Sequence, residues 1–193
     1  MIAFTAEELH FLAGGAPIPG LGPLPLDADD EGALRLMRGT AERSLTARGL
    51  LGAREVTALF EPLIDPDWFA TAKRGTARAW ARRQGRATEL AQMGPTDYTL
   101  SEVTDIRARI ADFLDLHSDD DSRGLPVTPD EQRMQALLAP PAQVIEATRA
   151  APGDIVTLQW IDPGDGGPVW LLSDGDPVQV SRTGRATLLA TLS

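Results

Sequence analysis

From Thr76 to Val103 the chain runs in three short segments of mixed apolar and polar residues, each closed by a turn signal. Thr76–Arg83 ends at Gln84-Gly85, Arg86–Met93 ends at Gly94-Pro95, and Thr96–Val103 completes the series. Breaks about ten residues apart have the spacing of an antiparallel meander. The following stretch, DIRARIADFL, places Ile106, Ile110, Phe113 and Leu114 on one helical face, with Thr104 as the expected cap. A similar order recurs near the C-terminus. Ile155–Ile161, Gly167–Leu172 and Pro177–Arg182 read as strands, and Thr183 or Gly184 opens the helix ATLLATL. Trp80 and Trp160 fall in matching strands, and Asp97 and Asp176 each open the next one. The pattern predicts an α+β fold of two quasi-repeated halves, each with helices, an antiparallel β-meander and a closing helix. The expected arrangement is a single domain, with halves 1–116 and 125–193 joined by an acidic connector at 117–124.

Helical periodicity accounts for most of the remainder. FTAEELHFLA (Phe4–Ala13) carries a capping box, Thr5 with Glu8, and stops at Gly14-Gly15. Residues 16–26 are rich in Pro and Gly and read as an extended edge segment with Ile18, Leu21, Leu24 and Leu26 packed. Asp29 or Asp30 caps a helix over Glu31–Arg48, and Arg54–Leu63 forms another, with Val56, Leu59, Phe60 and Leu63 inward. Asp67–Arg74 adds a strand that turns at Gly75. Thr128 is expected to cap PDEQRMQALL, with Pro129 at the first helical position and Glu131 completing a box. AQVIEATRAA, after Pro140-Pro141, reads as a further helix ended by Pro152-Gly153. Each half is therefore expected to run helix, helix, meander, helix.

Composition narrows the function classes. The formal net charge of −10 argues against general binding of nucleic acid, which needs positive charge to neutralise phosphates. With no cysteine, disulfides, thiolate metal sites and Cys nucleophiles are excluded. No run approaches the roughly 18 apolar residues of a membrane span. No basic region followed by an apolar core opens the chain, so the cytoplasm is the expected compartment.

Catalytic constellations are absent from the pattern. His10 lies in the first helix and His117 in the acidic connector, neither beside a readable partner. Asp119, Asp120 and Asp121 lack the alternating oxygens, glycine turn and terminal Glu of a calcium loop and read as a solvated charge run. Asp162, Asp165, Asp174 and Asp176 fall in hairpin turns, where turn geometry favours Asp. No catalytic residue, cofactor or metal site is expected.

One local feature stands out. Lys73, Arg74, Arg78, Arg82, Arg83 and Arg86 concentrate positive charge in an acidic chain. Strand alternation puts Arg78, Trp80 and Arg82 on one face of Thr76–Arg83, opposite Ala77, Ala79 and Ala81. Such a Trp–Arg stripe can be an exposed recognition surface, a cation–π sandwich, or a core Trp bordered by arginines whose stems pack against it. As a partner-binding stripe it requires an exposed Trp80. Trp160, in the doubly apolar IVTLQWI, is expected to be buried.

The runs RSLTARGLLG (Arg43–Gly52) and TALFEPLIDPD (Thr57–Asp67), followed by a meander and an apolar helix, resemble the EspG family of ESX, or type VII, secretion chaperones of actinobacteria. GPVWLLSDGDPVQV followed by RATLLATL is similar to that family's last strands and helix. The resemblance implies a mixed fold of two quasi-symmetric halves and a non-catalytic cytosolic protein. It also implies a helical partner, a PE–PPE or WxG-type secretion substrate, whose apolar tip is covered before export. Membrane insertion is not expected. The acidic charge leaves room for a second reading, a regulatory or immunity-type module masking a basic partner. A small-molecule enzyme, suggested by the acidic turns and two histidines, is a third.

Overall fold

A computed structural model describes residues 1–22, 30–173 and 176–193. Leu24, Leu26, Asp29 and Asp174, which figure in the expectations above, lie outside them. In chain order the described elements are β1 (Ile2–Thr5), α1 (Ala6–Leu12), α2 (Glu31–Ala47), α3 (Arg54–Ile64), β2 (Trp68–Arg74), β3 (Thr76–Arg83), β4 (Arg86–Gln92) and β5 (Asp97–Glu102). There follow α4 (Ile106–Leu114), α5 (Glu131–Leu138), β6 (Gln143–Ala151), β7 (Asp154–Asp162), β8 (Val169–Ser173), β9 (Gln179–Thr183) and α6 (Arg185–Leu192). This is an α+β protein, and the described strand pairings are antiparallel. The chain folds as two compact units, Met1–Phe69 with Thr76–Thr104, and Ala70–Gly75 with Asp105–Ser193.

The first unit orders its strands β1-β5-β4-β3. Ala79, Leu90, Leu100 and Ile2 stand opposite one another in turn and form one row across all four. That row belongs to the face on which Leu9 of α1, Leu45 of α2, and Val56, Phe60 and Leu63 of α3 pack. Burial of such side chains, about 1.5–3 kcal/mol each, is what fixes the helices there. α1 begins with the expected box: Thr5 Oγ1 accepts from Glu8 N–H at 3.3 Å, and Glu8 Oε2 accepts from Thr5 N–H at 3.0 Å. Asp30 caps α2, accepting from Ala33 N–H at 2.9 Å. β1 was not anticipated. It is only four residues long, and its last, Thr5, is already the cap of α1.

The second unit orders its strands β2-β6-β7-β8-β9, with α6 packed on α4 and β6. Here the sequence reading needs correction. Gln143–Ala151 is a strand, not a helix. Its Ala, Glu and Arg content mimics a helix, but β-branched Val144, Ile145 and Thr148 favour a pleated surface. Ile145 and Ala147 are buried while Val144 and Glu146 are exposed, which is period two. Nine matched residues of β7 complete the ladder. The expected second helix before the later meander is therefore absent. The runs β2–β5 then α4 and β6–β9 then α6 nevertheless share an order of four strands and a helix, with Trp80 and Trp160 each in the second strand.

Two caps also move. Asp105, not Thr104, caps α4, accepting from Ala108 N–H at 2.9 Å. Asp130, not Thr128, caps α5, accepting from Arg133 N–H at 2.8 Å. In both cases the carboxylate nearer the helix displaces the hydroxyl, and its charge also suits the helix dipole.

Candidate partner-binding site

Arg78, Trp80 and Arg82 do share one face of β3, since they pair with Ala91, Glu89 and Ala87 of β4. Trp80, however, is 0% exposed, as is Trp160. Ala79, Trp80 and Ala81 are consecutive and all buried, so both faces of β3 are covered at its centre. The recognition-stripe reading, which requires an exposed Trp80, is therefore not met, and the reading of a core Trp bordered by arginines is the one that fits. Its neighbours follow suit. Arg78 donates from Nη1 to Oε1 of buried Glu89 at 2.6 Å. Arg82 is exposed, with its guanidinium 5.7 Å from the centre of the Trp68 ring. Of the three stripe residues, only Arg82 is exposed.

The positive cluster is largely engaged elsewhere as well. Arg83 meets Asp65 at 2.9 Å and Glu61 at 3.9 Å, and Arg74 lies 3.7 Å from Asp162. Along α3 and the end of α1 runs a groove of 270 Å³, lined by Leu12, Val56, Phe60 and Ile64 together with Glu61 and Arg83. It is smaller than ordinary small-molecule sites, which begin at about 300 Å³. A second hollow of the first unit, 350 Å³, is bordered by Glu55, Arg86, Thr88 and Glu102.

A buried ion pair of the second unit is built around Arg185, the first residue of α6. Arg185 is 2% exposed and Asp162, at the end of β7, 1%. Arg185 Nη2 donates to Asp162 Oδ1 at 2.7 Å and Nη1 to Oδ2 at 3.2 Å. Nη1 also donates to the Asp115 carbonyl at 2.7 Å, and Nε to that of Gly167 at 2.9 Å. Asp162 Oδ1 further accepts from Gly164 N–H at 2.9 Å. Burial alone would raise the Asp162 carboxyl. The bonds from Arg185 and Gly164, with the charges of Arg185 and Arg74, outweigh burial and hold it below the ordinary carboxylate range. Sequence reasoning placed Asp162 in a turn and passed over Arg185. Nothing local marks a pair separated by 23 positions.

The acidic connector is likewise structural. Asp120 carbonyl accepts from Ala186 N–H at 3.0 Å, Ser122 carbonyl from Gly184 N–H at 2.8 Å, and Asp121 carbonyl from Thr187 Oγ1 at 3.0 Å. α6 has no side-chain cap, so these carbonyls stand in for one. The Asp119–Asp121 run therefore lies beside the positive end of a helix, which favours its charge. The first unit has its own buried charge. Glu8, 2% exposed, accepts from Ser44 Oγ at 2.7 Å and from Arg48 Nη1 at 2.9 and 3.0 Å, while Arg48 also donates to the Ala3 carbonyl.

Neither histidine sits in a built site. His10 Nε2 meets the Gly22 carbonyl at 3.0 Å, and His117 Nε2 pairs with Asp112 at 3.0 Å on the surface. Among the described residues, no group of three or more His, Asp or Glu could hold a metal ion, and no helix is long and apolar enough to cross a membrane.

No protein-family model matches the chain, and no curated protein matches it. Its fold does resemble that of a solved protein, the type VII secretion system chaperone EspG5 of Mycobacterium tuberculosis, determined in complex with the PE25–PPE41 dimer. The likeness covers 100% of this chain and 96% of that one, with a TM-score of 0.55 and 13% identity. The chain therefore has an EspG-like fold.

Proposed function

We propose that this protein is a non-catalytic chaperone or adaptor of a type VII secretion system, which binds a helical substrate of the PE–PPE kind in the cytoplasm before export. The observation that carries this reading is the likeness to EspG5 along the whole chain, since that chaperone was solved with a PE–PPE dimer bound. The disposition of buried charge agrees with it. Glu8, Asp162 and Arg185 are all engaged by protein partners and shielded from solvent, as scaffold residues are. Trp80 acts in this reading through folding. Arg82 is the stripe residue whose exposure allows partner contact.

Affinity capture of the tagged chain from its native cell tests the reading. The expected result is a stable complex with a helical protein encoded at a secretion locus, retained in high salt because apolar burial dominates. Recovery of the chain with no such partner refutes it. A complex with a basic protein that dissociates steeply as salt rises would instead support the masking-module reading.

A further inference from the structure

The 350 Å³ hollow of the first unit is built by α3 together with β4 and β5. Strand alternation explains which side chains reach it. Thr88 lies two residues before Leu90 on β4, and Leu90 belongs to the core under α3, so Thr88 faces α3 as well. Arg86 lies two residues further back and shares that face. Glu102 stands opposite Thr88 on β5. Glu55, in the first turn of α3, borders the hollow from the helix side, with Ala58 and Leu59 as an apolar wall. Thr88 is 1% exposed, whereas Glu55, Arg86 and Glu102 are exposed. Among the described residues, the Thr88 hydroxyl has no hydrogen-bond partner, and Glu55, Arg86 and Glu102 form no ion pair although they border one space. Buried hydroxyls are ordinarily bonded. Four polar groups thus converge without engaging one another.

We propose that this hollow binds a free α-amino acid in its zwitterionic form. Its polar groups are of mixed sign: two carboxylates, one guanidinium and a hydroxyl. A simple anion would meet the carboxylates, and a simple cation would leave Arg86 and Thr88 unused. A calcium ion takes about 6–8 oxygens, far more than two carboxylates supply. An ammonium and a carboxylate on one carbon use all four groups. The ammonium donates to Glu55 and Glu102, and the carboxylate accepts from Arg86 and from the Thr88 hydroxyl. The spacing suits so compact a ligand. Directly opposed residues such as Thr88 and Glu102 have Cβ atoms about 4.5–5.5 Å apart. Arg86 lies about 6.5–7 Å along the strand from Thr88, within reach of its long side chain. Ala58 and Leu59 offer an aliphatic side chain an apolar contact. The volume lies within the range of ordinary small-molecule sites, about 300–1,000 Å³. The site does not depend on the chaperone reading and is tested on the purified chain alone.

Isothermal titration calorimetry with L-leucine, L-leucinamide and 4-methylpentanoate separates the two ends of the ligand. L-Leucinamide keeps the ammonium and lacks the carboxylate, and 4-methylpentanoate does the reverse. L-Leucine should bind at least about tenfold more tightly than either, because each analogue loses charge-assisted bonds. Glu102→Gln should weaken L-leucine and L-leucinamide and leave 4-methylpentanoate unchanged. Arg86→Gln should weaken L-leucine and 4-methylpentanoate and leave L-leucinamide unchanged. Both residues are exposed, so these variants should keep the circular dichroism and Tm of the parent. Thr88→Val, similar in shape but without the hydroxyl, should act on the same two ligands as Arg86→Gln. No binding of L-leucine at millimolar concentration, equal affinity for the three ligands, or L-leucine binding that none of the three variants weakens would overturn the proposal.

Discussion

Replacing Arg185 by Met tests whether one guanidinium holds the end of β7, the end of α4, the β7–β8 turn and the start of α6 together. Met keeps much of the apolar stem and removes every donor. Asp162 would retain Gly164 N–H and Arg74, now 3.7 Å away, while the Asp115 and Gly167 carbonyls would lose their guanidinium donors. Removing one partner of a buried ion pair costs about 3–5 kcal/mol. Each orphaned carbonyl adds up to about 1–3 kcal/mol. Arg74, partly exposed and already oriented toward Asp162, offsets some of this. The expected net loss is about 4 kcal/mol, equivalent to about 8–16 °C in Tm for a chain of this size. Urea denaturation at neutral pH, followed by tryptophan fluorescence, measures it. The double variant Arg185→Met/Asp162→Leu should recover much of the loss, because it leaves no uncompensated buried charge. The reasoning fails if Arg185→Met costs less than about 1 kcal/mol, within the range of ordinary point mutations. It also fails if the double variant is as unstable as the sum of the two single variants, which would show no coupling.

Other outcomes follow from the same geometry. Because the folded pKa of Asp162 is depressed, its contribution is complete above the unfolded value of about 3.9 and is lost as pH falls through the folded value. Denaturation midpoints measured from neutral to acid pH should therefore fall less steeply in Asp162→Asn than in the parent, and equal slopes would contradict this. Gly184→Ala should loosen α6 and cost at least about 1–3 kcal/mol, because a Cβ there would collide with the backbone carbonyl of Asp120. Hydrogen exchange of the α6 amides would report it, and unchanged protection would refute it. Trp80→Ala should destabilise the fold by about 3–5 kcal/mol, as for a core aromatic, and a variant of unchanged Tm would argue for a surface role instead.

The sequence disclosed what is decided within a few residues. The Thr5–Glu8 box, the α2 cap narrowed to Asp29 or Asp30, and the meander breaks at Gln84-Gly85 and Gly94-Pro95 were legible, because each is set by local hydrogen bonds or turn geometry. Misplacing the caps of α4 and α5 by one or two residues is the usual uncertainty at helix ends. The error at Gln143–Ala151 has a different cause. Its alanines and charges fit a helix, and only the nine-residue ladder with β7 selects the strand. Face assignment succeeded where coverage did not. Alternation correctly put Arg78, Trp80 and Arg82 together, but period two cannot say whether a face is open or covered, and here Trp80 is covered.

What escaped the sequence altogether was pairing of charge at long range. Glu8 and Arg48 are 40 positions apart, and Asp162 and Arg185 are 23. Each looks ordinary in its own segment: a box glutamate, a helix-end arginine, a turn aspartate, a helix-start arginine. Their burial bears on function through access. A catalytic acid or base must reach a substrate proton within hydrogen-bond distance. Asp162 and Arg185 are 1% and 2% exposed, and their polar atoms are committed to Gly164, Gly167, Asp115 and each other. Opening that cluster to a substrate would strand a buried charge at a cost of several kcal/mol before any chemistry began. The same commitment makes the cluster a good strut. It fixes the start of α6 against the β7–β8 turn and the end of α4, through bonds to Gly167, Asp115 and Asp162.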